Sequence, residues 1–103
     1  MADYYLVERA KGPAWDHTRP RREQDGWDEH AAFMDALVEE GFVVLGGPVG
    51  DLDTGHAVLV VHAESEDAVR ERLAGDPWPE ELLTIESIEP WSLWLGADAV
   101  RAE

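Results

Sequence analysis

The chain contains no cysteine and few basic residues, and both deficits remove classes of function. Without cysteine there is no disulfide framework, no thiolate nucleophile and no cysteine-ligated zinc site. Lys and Arg number 8 against 23 Asp and Glu, so the formal net charge is -15. This charge argues strongly against a nucleic-acid partner, because phosphates would be repelled over most of the surface. It does not identify a cationic partner, since acidic surfaces commonly serve solubility.

Long apolar runs are also missing. The opening MADYYLVERA lacks a basic segment followed by an apolar stretch, so no signal peptide is predicted. No stretch approaches the roughly 20 apolar residues of a membrane span, and a cytoplasmic protein without membrane association is expected. The apolar content of 45% is ordinary for a globular protein, and the 103 residues suit one domain, residues 1–103.

Residues 25–48 predict one amphipathic helix that ends at a glycine and continues into an apolar strand. At about 100° per residue, one contiguous arc is apolar, as in a core-facing stripe. The members of this arc are Trp27, Ala31, Phe33, Met34, Leu37 and Val38. Asp25 is the predicted N-cap, and Gly41 is the predicted stop. His30 lies near the middle of the arc, and such local inconsistencies tend to occur at functional sites.

Periodicity and turn residues predict the order strand, helix, strand, strand, helix, strand. The predicted strands are residues 3–8, 42–49, 57–63 and 83–95, with a long irregular loop at residues 10–24. Right-handed crossovers then give a ferredoxin-like βαββαβ fold of the α+β class. Its four-stranded antiparallel sheet has order 4-1-3-2, with two helices on one face. Pro90 supports an edge position for the fourth strand, because central strands rarely hold proline.

The open face of this sheet predicts self-association. Two helices cover one face, yet the first and third strands are apolar on both faces. A bare second face would exceed the apolar patch that soluble monomers usually tolerate. We therefore expect an isologous homodimer packed sheet to sheet, with Ile88 and Trp94 helping to fill the interface.

Several short segments, in a fixed order, carry a family resemblance. They are YYLV near the N-terminus, EHAAFMDAL around His30, LGGP (45–48), AVLVVHAES (57–65), GDPW (75–78) and IEPWSLWLG (88–96). Together they span nearly the whole chain and resemble the YCII-related family of small dimeric α+β-barrel proteins. The resemblance rests on the ensemble of segments and not on one motif.

The resemblance implies a site built from a histidine on the first helix and an aspartate after the second, here His30 and Asp76. It also implies a small-molecule enzyme, since members with an assigned reaction include a dehydrochlorinase that acts on an aromatic ring compound. One related subgroup carries Asp-Gly-Pro-Phe where this chain has GGPV at residues 46–49. That subgroup's residue roles are therefore not transferred.

The pair His30 and Asp76 has a chemistry that can be stated independently. A neutral imidazole both takes and gives a proton near neutral pH, and a bonded carboxylate fixes its tautomer and stabilises the imidazolium. Positioned acid–base catalysis contributes roughly 10²–10⁴-fold, enough for proton abstraction, elimination or isomerisation of an activated substrate. The pair supplies two metal ligands and the sequence offers no third at useful spacing, so neither a metal nor a cofactor is predicted.

Ligand-binding residues are predicted around this pair. They are Trp27, Arg19, Arg21, Arg22, Gly46, Gly47 and Pro48. The three arginines belong to a basic segment before the first helix and could attract an anionic small molecule. The glycines allow close backbone approach to a ligand, and the tryptophan lies one turn before the histidine.

A non-catalytic interpretation stays open at each position. A histidine on an apolar helix face is often a satisfied core residue, and Asp76 before Pro77 is an ordinary turn pair. The arginines can equally form a solvated loop, and the glycines can simply end a strand. The leading hypothesis is a cytoplasmic homodimer that performs His–Asp acid–base chemistry on a small anionic or aromatic metabolite. The alternative is a non-catalytic dimeric module that binds a small ligand or a protein partner.

Overall fold

The structure, a computed structural model, describes residues 3–53 and 56–96. The strands are β1 (Asp3–Lys11), β2 (Val43–Pro48), β3 (Ala57–Ala63) and β4 (Leu83–Pro90), and the helices are α1 (Trp27–Glu39) and α2 (Glu66–Leu73). A short 3-10 turn, Arg21–Glu23, precedes α1. The strands form one antiparallel sheet in the order β2-β3-β1-β4, which confirms the predicted order and the ferredoxin-like α+β fold.

Both helices pack against the same face of the sheet. Tyr5 and Val7 of β1 form one buried cluster with Leu37 of α1 and with Val69 and Leu73 of α2. The strand residues in this cluster occupy alternate positions, because successive side chains of a strand point to opposite faces. No helix in the described part of the chain is long and apolar enough to cross a membrane.

The start of α1 differs from the prediction, whereas its end agrees with it. The N-cap is Gly26 and not Asp25, and its φ of 80° lies in the left-handed region that favours glycine. The Asp25 carbonyl instead accepts a hydrogen bond of 2.8 Å from the indole Nε1 of Trp78. At the other end, Gly41 adopts a φ of 84° and terminates the helix.

Two strand boundaries differ from the sequence prediction by more than one residue, and β2 is one residue shorter at each end than predicted. β1 continues beyond Glu8 to Lys11, because its pairing with β4 resumes after a register shift between Glu8 and Arg9. β4 ends at Pro90 and not at residue 95. The next backbone N–H, that of Trp91, donates to the Tyr4 carbonyl at 2.9 Å.

The early end of β4 changes the assignment of Ile88. This side chain was expected on the open face, but it pairs with Val7 and lies in the helix-side core. Side chains alternate between the two faces of the sheet only within the strand, which ends at Pro90. The face of Trp94 therefore cannot be deduced from that of Ile88. Trp94 is 87% exposed. On the open face, Tyr4 stacks on His62 with ring centroids 4.8 Å apart.

Candidate active site

Three buried polar side chains meet where α1, β1 and the turn after α2 come together. Nδ1 of His30 lies 2.8 and 2.9 Å from the two carboxylate oxygens of Asp76. Arg9 donates from Nη1 to Oδ2 of Asp76 at 2.9 Å, and the Trp78 N–H donates to Oδ1 at 2.9 Å. The Asp76 side chain is 1% exposed, so donors from three elements replace the water that it loses on folding.

The turn after α2 explains how Asp76 is held. Its backbone N–H donates to the Leu73 carbonyl, three residues back, at 3.1 Å in the turn that follows the helix. Its side chain accepts from the N–H two residues on, which is the hydrogen bond of an Asx turn. Pro77 between the two has its φ fixed by the ring. Asp76 is therefore both a turn residue and the partner of His30, so the two interpretations of this residue are compatible.

Aromatic rings fix the orientation of the His30 imidazole. Trp78 stacks on it with ring centroids 4.0 Å apart and planes 10° apart. Trp27 contacts the same ring at 5.8 Å, and Trp15 meets Trp78 edge-on at 5.6 Å. Because Trp78 is 2% exposed and its Nε1 is bonded to a backbone carbonyl, the stacked surface is rigidly placed. The imidazole is thereby held with Nδ1 toward Asp76.

The protonation state of Asp76 determines the tautomer of His30. Burial raises the pKa of the Asp76 carboxyl, but hydrogen bonds from His30 and the Trp78 N–H, the His30 charge and the Arg9 hydrogen bond outweigh burial. The pKa of Asp76 therefore lies below its ordinary value, and the group is an ionised acceptor at neutral pH. An accepting carboxylate requires a proton on Nδ1, so the neutral imidazole has a bare Nε2. This atom has no hydrogen-bond partner in the part of the chain that the structure describes.

A cavity of about 400 Å³ opens beside His30, and α1 and β2 contribute most of its wall. Trp27 and Met34 give it an apolar side, and Arg9, which is paired with Asp76, and Arg21 also line it. Asp76 does not line the cavity, because its carboxylate lies behind the imidazole. The His30 ring therefore borders the cavity, whereas the Asp76 carboxylate contacts that ring only on its far side.

Within residues 3–53 and 56–96, no three His, Asp or Glu side chains gather as a metal site would require.

Comparison with known proteins places this architecture in a family. The profile of the YCII-related domain matches residues 4–92. The chain belongs to the YCII-related family. Its fold is similar to that of 5-chloro-2-hydroxyhydroquinone dehydrochlorinase from Burkholderia phenoliruptrix AC1100, solved in complex with 2,5-dihydroxybenzoquinone. The TM-score is 0.60 and the sequence identity 22%, over 91% of this chain and 96% of that chain. No curated protein sequence matches.

Most of the predicted ligand-binding residues of this YCII-related protein surround the cavity. Those that line it are Trp27, Arg21, Gly46, Gly47 and Pro48. Arg22 is not among them, and its guanidinium lies 5.9 Å over the Trp27 ring. Arg19 lines a different recess and pairs with Asp16 and Asp25 at 3.1 and 3.2 Å. The structure therefore does not bring Arg19 and Arg22 to this cavity, because the ion pairs of Arg19 and the contact of Arg22 with Trp27 hold their guanidinium groups elsewhere. Their part in ligand binding stays a prediction.

The two glycines of β2 differ in whether the structure leaves room for a side chain at their positions. A Cβ on Gly46 would lie 2.5 Å from Cδ2 of Leu59 and 2.8 Å from the Val58 carbonyl oxygen. Gly46 is thus required by the close approach of β2 to β3, whatever the ligand. Gly47 has no such neighbour within 4 Å.

Val38, which periodicity placed in the core-facing arc, is 52% exposed at the cavity wall.

Sequence reasoning missed Arg9 and Trp78 as parts of this site. The predicted first strand ended at Glu8, whereas Arg9 lies on β1 in phase with the buried Tyr5 and Val7. Extending the period-2 alternation by two residues would have placed it on the helix side. Trp78 gives no comparable signal, because its stacking on His30 joins residues that are far apart in the chain.

Proposed function

We propose that this YCII-related protein is a small-molecule enzyme in which His30 transfers protons through Nε2. One observation carries the proposal. Nδ1 is bonded to a buried carboxylate, so the ring edge that remains beside the cavity is the one with Nε2. Polar atoms buried only for packing generally have a hydrogen-bond partner, whereas Nε2 of His30 has none in the described part of the chain. Here one is fixed and the other stays available.

The chemistry follows from the tautomer. Nε2 takes a proton from a hydroxyl or an acidic carbon of the ligand and becomes part of an imidazolium. The Asp76 carboxylate and the face of Trp78 stabilise this cation. In an elimination, the electron pair left by the proton forms a new double bond while an anion such as chloride leaves a carbon in conjugation with it. In an isomerisation, the imidazolium returns the proton to another carbon.

The cavity favours a small ring that carries negative charge or hydroxyl groups. Its volume of about 400 Å³ suits a single-ring compound, and Trp27 offers an aromatic surface for stacking. Arg21 provides positive charge at the cavity in a chain whose net charge is -15, whereas the charge of Arg9 is paired with Asp76. The dehydrochlorinase of similar fold was solved with 2,5-dihydroxybenzoquinone, a compound of this chemical type.

The proposal is tested with a panel of ring compounds, here called the ring panel. It contains 5-chloro-2-hydroxyhydroquinone, 2,5-dihydroxybenzoquinone, benzoate and 4-hydroxybenzoate. We expect at least one member to quench tryptophan fluorescence saturably, since Trp27 lines the cavity. We also expect at least one to be converted, detected as chloride release or as a change in absorbance. Binding without conversion across the panel and its close analogues would favour the non-catalytic binding module.

We also propose that the protein is a homodimer through the open face of the sheet. Leu45 pairs with Val60 on that face and is 54% exposed, and Trp94 and Leu95 beyond β4 are 87% and 95% exposed. Apolar surface of this kind is stabilised when a second copy covers it.

Charge on the open face should abolish this dimer. Leu45→Glu is expected to sediment as a monomer and the wild-type protein as a dimer. Leu52→Glu is the matched control, because Leu52 is 68% exposed in the turn after β2 and lies outside the sheet. A wild-type protein that sediments as a monomer at all concentrations would contradict the proposal.

A further inference from the structure

Arg9 is a buried charge that the proton transfer described above does not use. It is 3% exposed, donates from Nη1 to Asp76 and from Nη2 to the Leu83 carbonyl at 3.1 Å. Its Nε is buried and has no hydrogen-bond partner within residues 3–53 and 56–96. The position is in phase with the apolar residues Tyr5 and Val7. Buried ion pairs can often be replaced by apolar residues without loss of stability, so packing alone does not explain an arginine here.

The net charge of the buried group changes when His30 takes up a second proton. With Arg9 positive, Asp76 negative and His30 neutral, the three side chains sum to zero, and protonation brings the sum to plus one. Without Arg9, the same step would take the sum from minus one to zero. A low-dielectric site disfavours net charge, so Arg9 opposes the protonation that Asp76 favours.

We propose that Arg9 is a positioning residue that offsets the charge of Asp76 and keeps Nε2 of His30 in its proton-accepting form. The two residues then have separate roles. Asp76 determines which nitrogen carries the first proton, and Arg9 limits how readily the ring takes the second. The catalytic use of this device rests on the proposed function, whereas the device itself can be measured without any substrate.

The other charges near His30 come from two elements. Arg21 of the 3-10 turn and Asp35 of α1 line the same cavity and have opposite signs. Arg21 is bonded through Nε to the Leu52 carbonyl at 2.9 Å, and Asp35 is exposed to solvent, which screens it. The cavity residues of β2, β3 and β4 carry no charge. Arg9 and Asp76 are therefore the charged side chains that form one buried hydrogen-bonded network with His30.

The test is a pH titration of the His30 ring by NMR in four proteins. They are the wild type, Arg9→Gln, Asp76→Asn and the double variant R9Q/D76N. Arg9→Gln should move the titration midpoint of His30 to higher pH by about 1 unit, and Asp76→Asn should move it to lower pH by a similar amount. The double variant should return toward the wild-type midpoint. A purely structural role for Arg9 predicts no such opposition.

One further variant, Arg9→Lys, and the double variant secure the interpretation. Arg9→Lys keeps the charge and should titrate close to the wild type. The double variant leaves no unpaired buried charge, so it can be read even when Arg9→Gln alone fails to fold. The proposal is overturned when the double variant titrates together with Asp76→Asn, or when folded Arg9→Gln titrates at or below the wild-type midpoint. Neither result depends on turnover, so failure of this proposal is distinguishable from failure of the proposed function.

Discussion

Replacing His30 by Gln is expected to lower turnover of the converted member of the ring panel by about 10²–10⁴-fold. Glutamine can still donate a hydrogen bond to Asp76, but it has no nitrogen that accepts and returns a proton near neutral pH. The loss should therefore fall on kcat, while KM changes much less, because the cavity wall is otherwise intact. Steady-state kinetics at neutral pH measures both constants.

Asp35→Asn is the matched control for this substitution. Asp35 lines the same cavity on the same helix, but its exposed carboxylate has no part in the proposed proton transfer. We expect its kcat to stay within a few-fold of the wild type. A His30→Gln protein that turns over its substrate at the wild-type rate would remove His30 from the chemistry and leave only its structural contacts.

Replacing Asp76 by Ala is expected to reduce the free energy of unfolding by about 3–5 kcal/mol. The substitution leaves the buried guanidinium of Arg9 without a counter-ion and deprives His30 Nδ1 and the Trp78 N–H of their acceptor. Domains of this size are stable by roughly 5–15 kcal/mol, so a large share of the total is at stake. Urea unfolding at neutral pH measures the difference.

Unfolding measurements at acidic pH, and on a control variant at the exposed Asp35, distinguish loss of the buried ion pair from a general loss of packing. The folded-state pKa of Asp76 is lowered, so its contribution is fully present above the unfolded value of about 3.9 and is lost as the pH falls through the folded value. The gap between wild type and Asp76→Ala should therefore narrow in acid. Asp35→Ala should stay within about 0.5 kcal/mol of the wild type at neutral pH. Equal losses for the two variants would contradict the account of the buried network.

The strand order was predictable because several independent local signals agree on it. β1 and β3 are continuous apolar runs, as central strands require, and Pro90 marks the edge strand. The glycine stop of α1 was equally visible, because a left-handed residue is needed where the chain reverses. The N-cap of α1 was not predictable in this way. Asp25 has a side chain typical of N-caps, whereas Gly26 takes the position through its left-handed backbone conformation.

The site was less predictable, because its contacts join distant parts of the chain. The pairing of His30 with Asp76 was suggested by family resemblance, and no periodicity connects the two positions. Arg9 was missed because the predicted first strand ended at Glu8, although the alternation of β1 continues without a break to Arg9. Helical periodicity predicted which side chains of α1 face inward. It could not show that part of this inward face, including Val38, borders a cavity and not a packed core.

The central claim is that Asp76 holds His30 as the tautomer with a proton on Nδ1 and a bare Nε2. A long-range ¹H–¹⁵N NMR spectrum of the histidine rings, recorded above their titration, measures the tautomer directly. We expect a protonated Nδ1 and an unprotonated Nε2 for His30, with this preference weakened in Asp76→Asn. A His30 ring that carries its proton on Nε2 in the wild-type protein would contradict it, because the cavity would then face a donor and not a base.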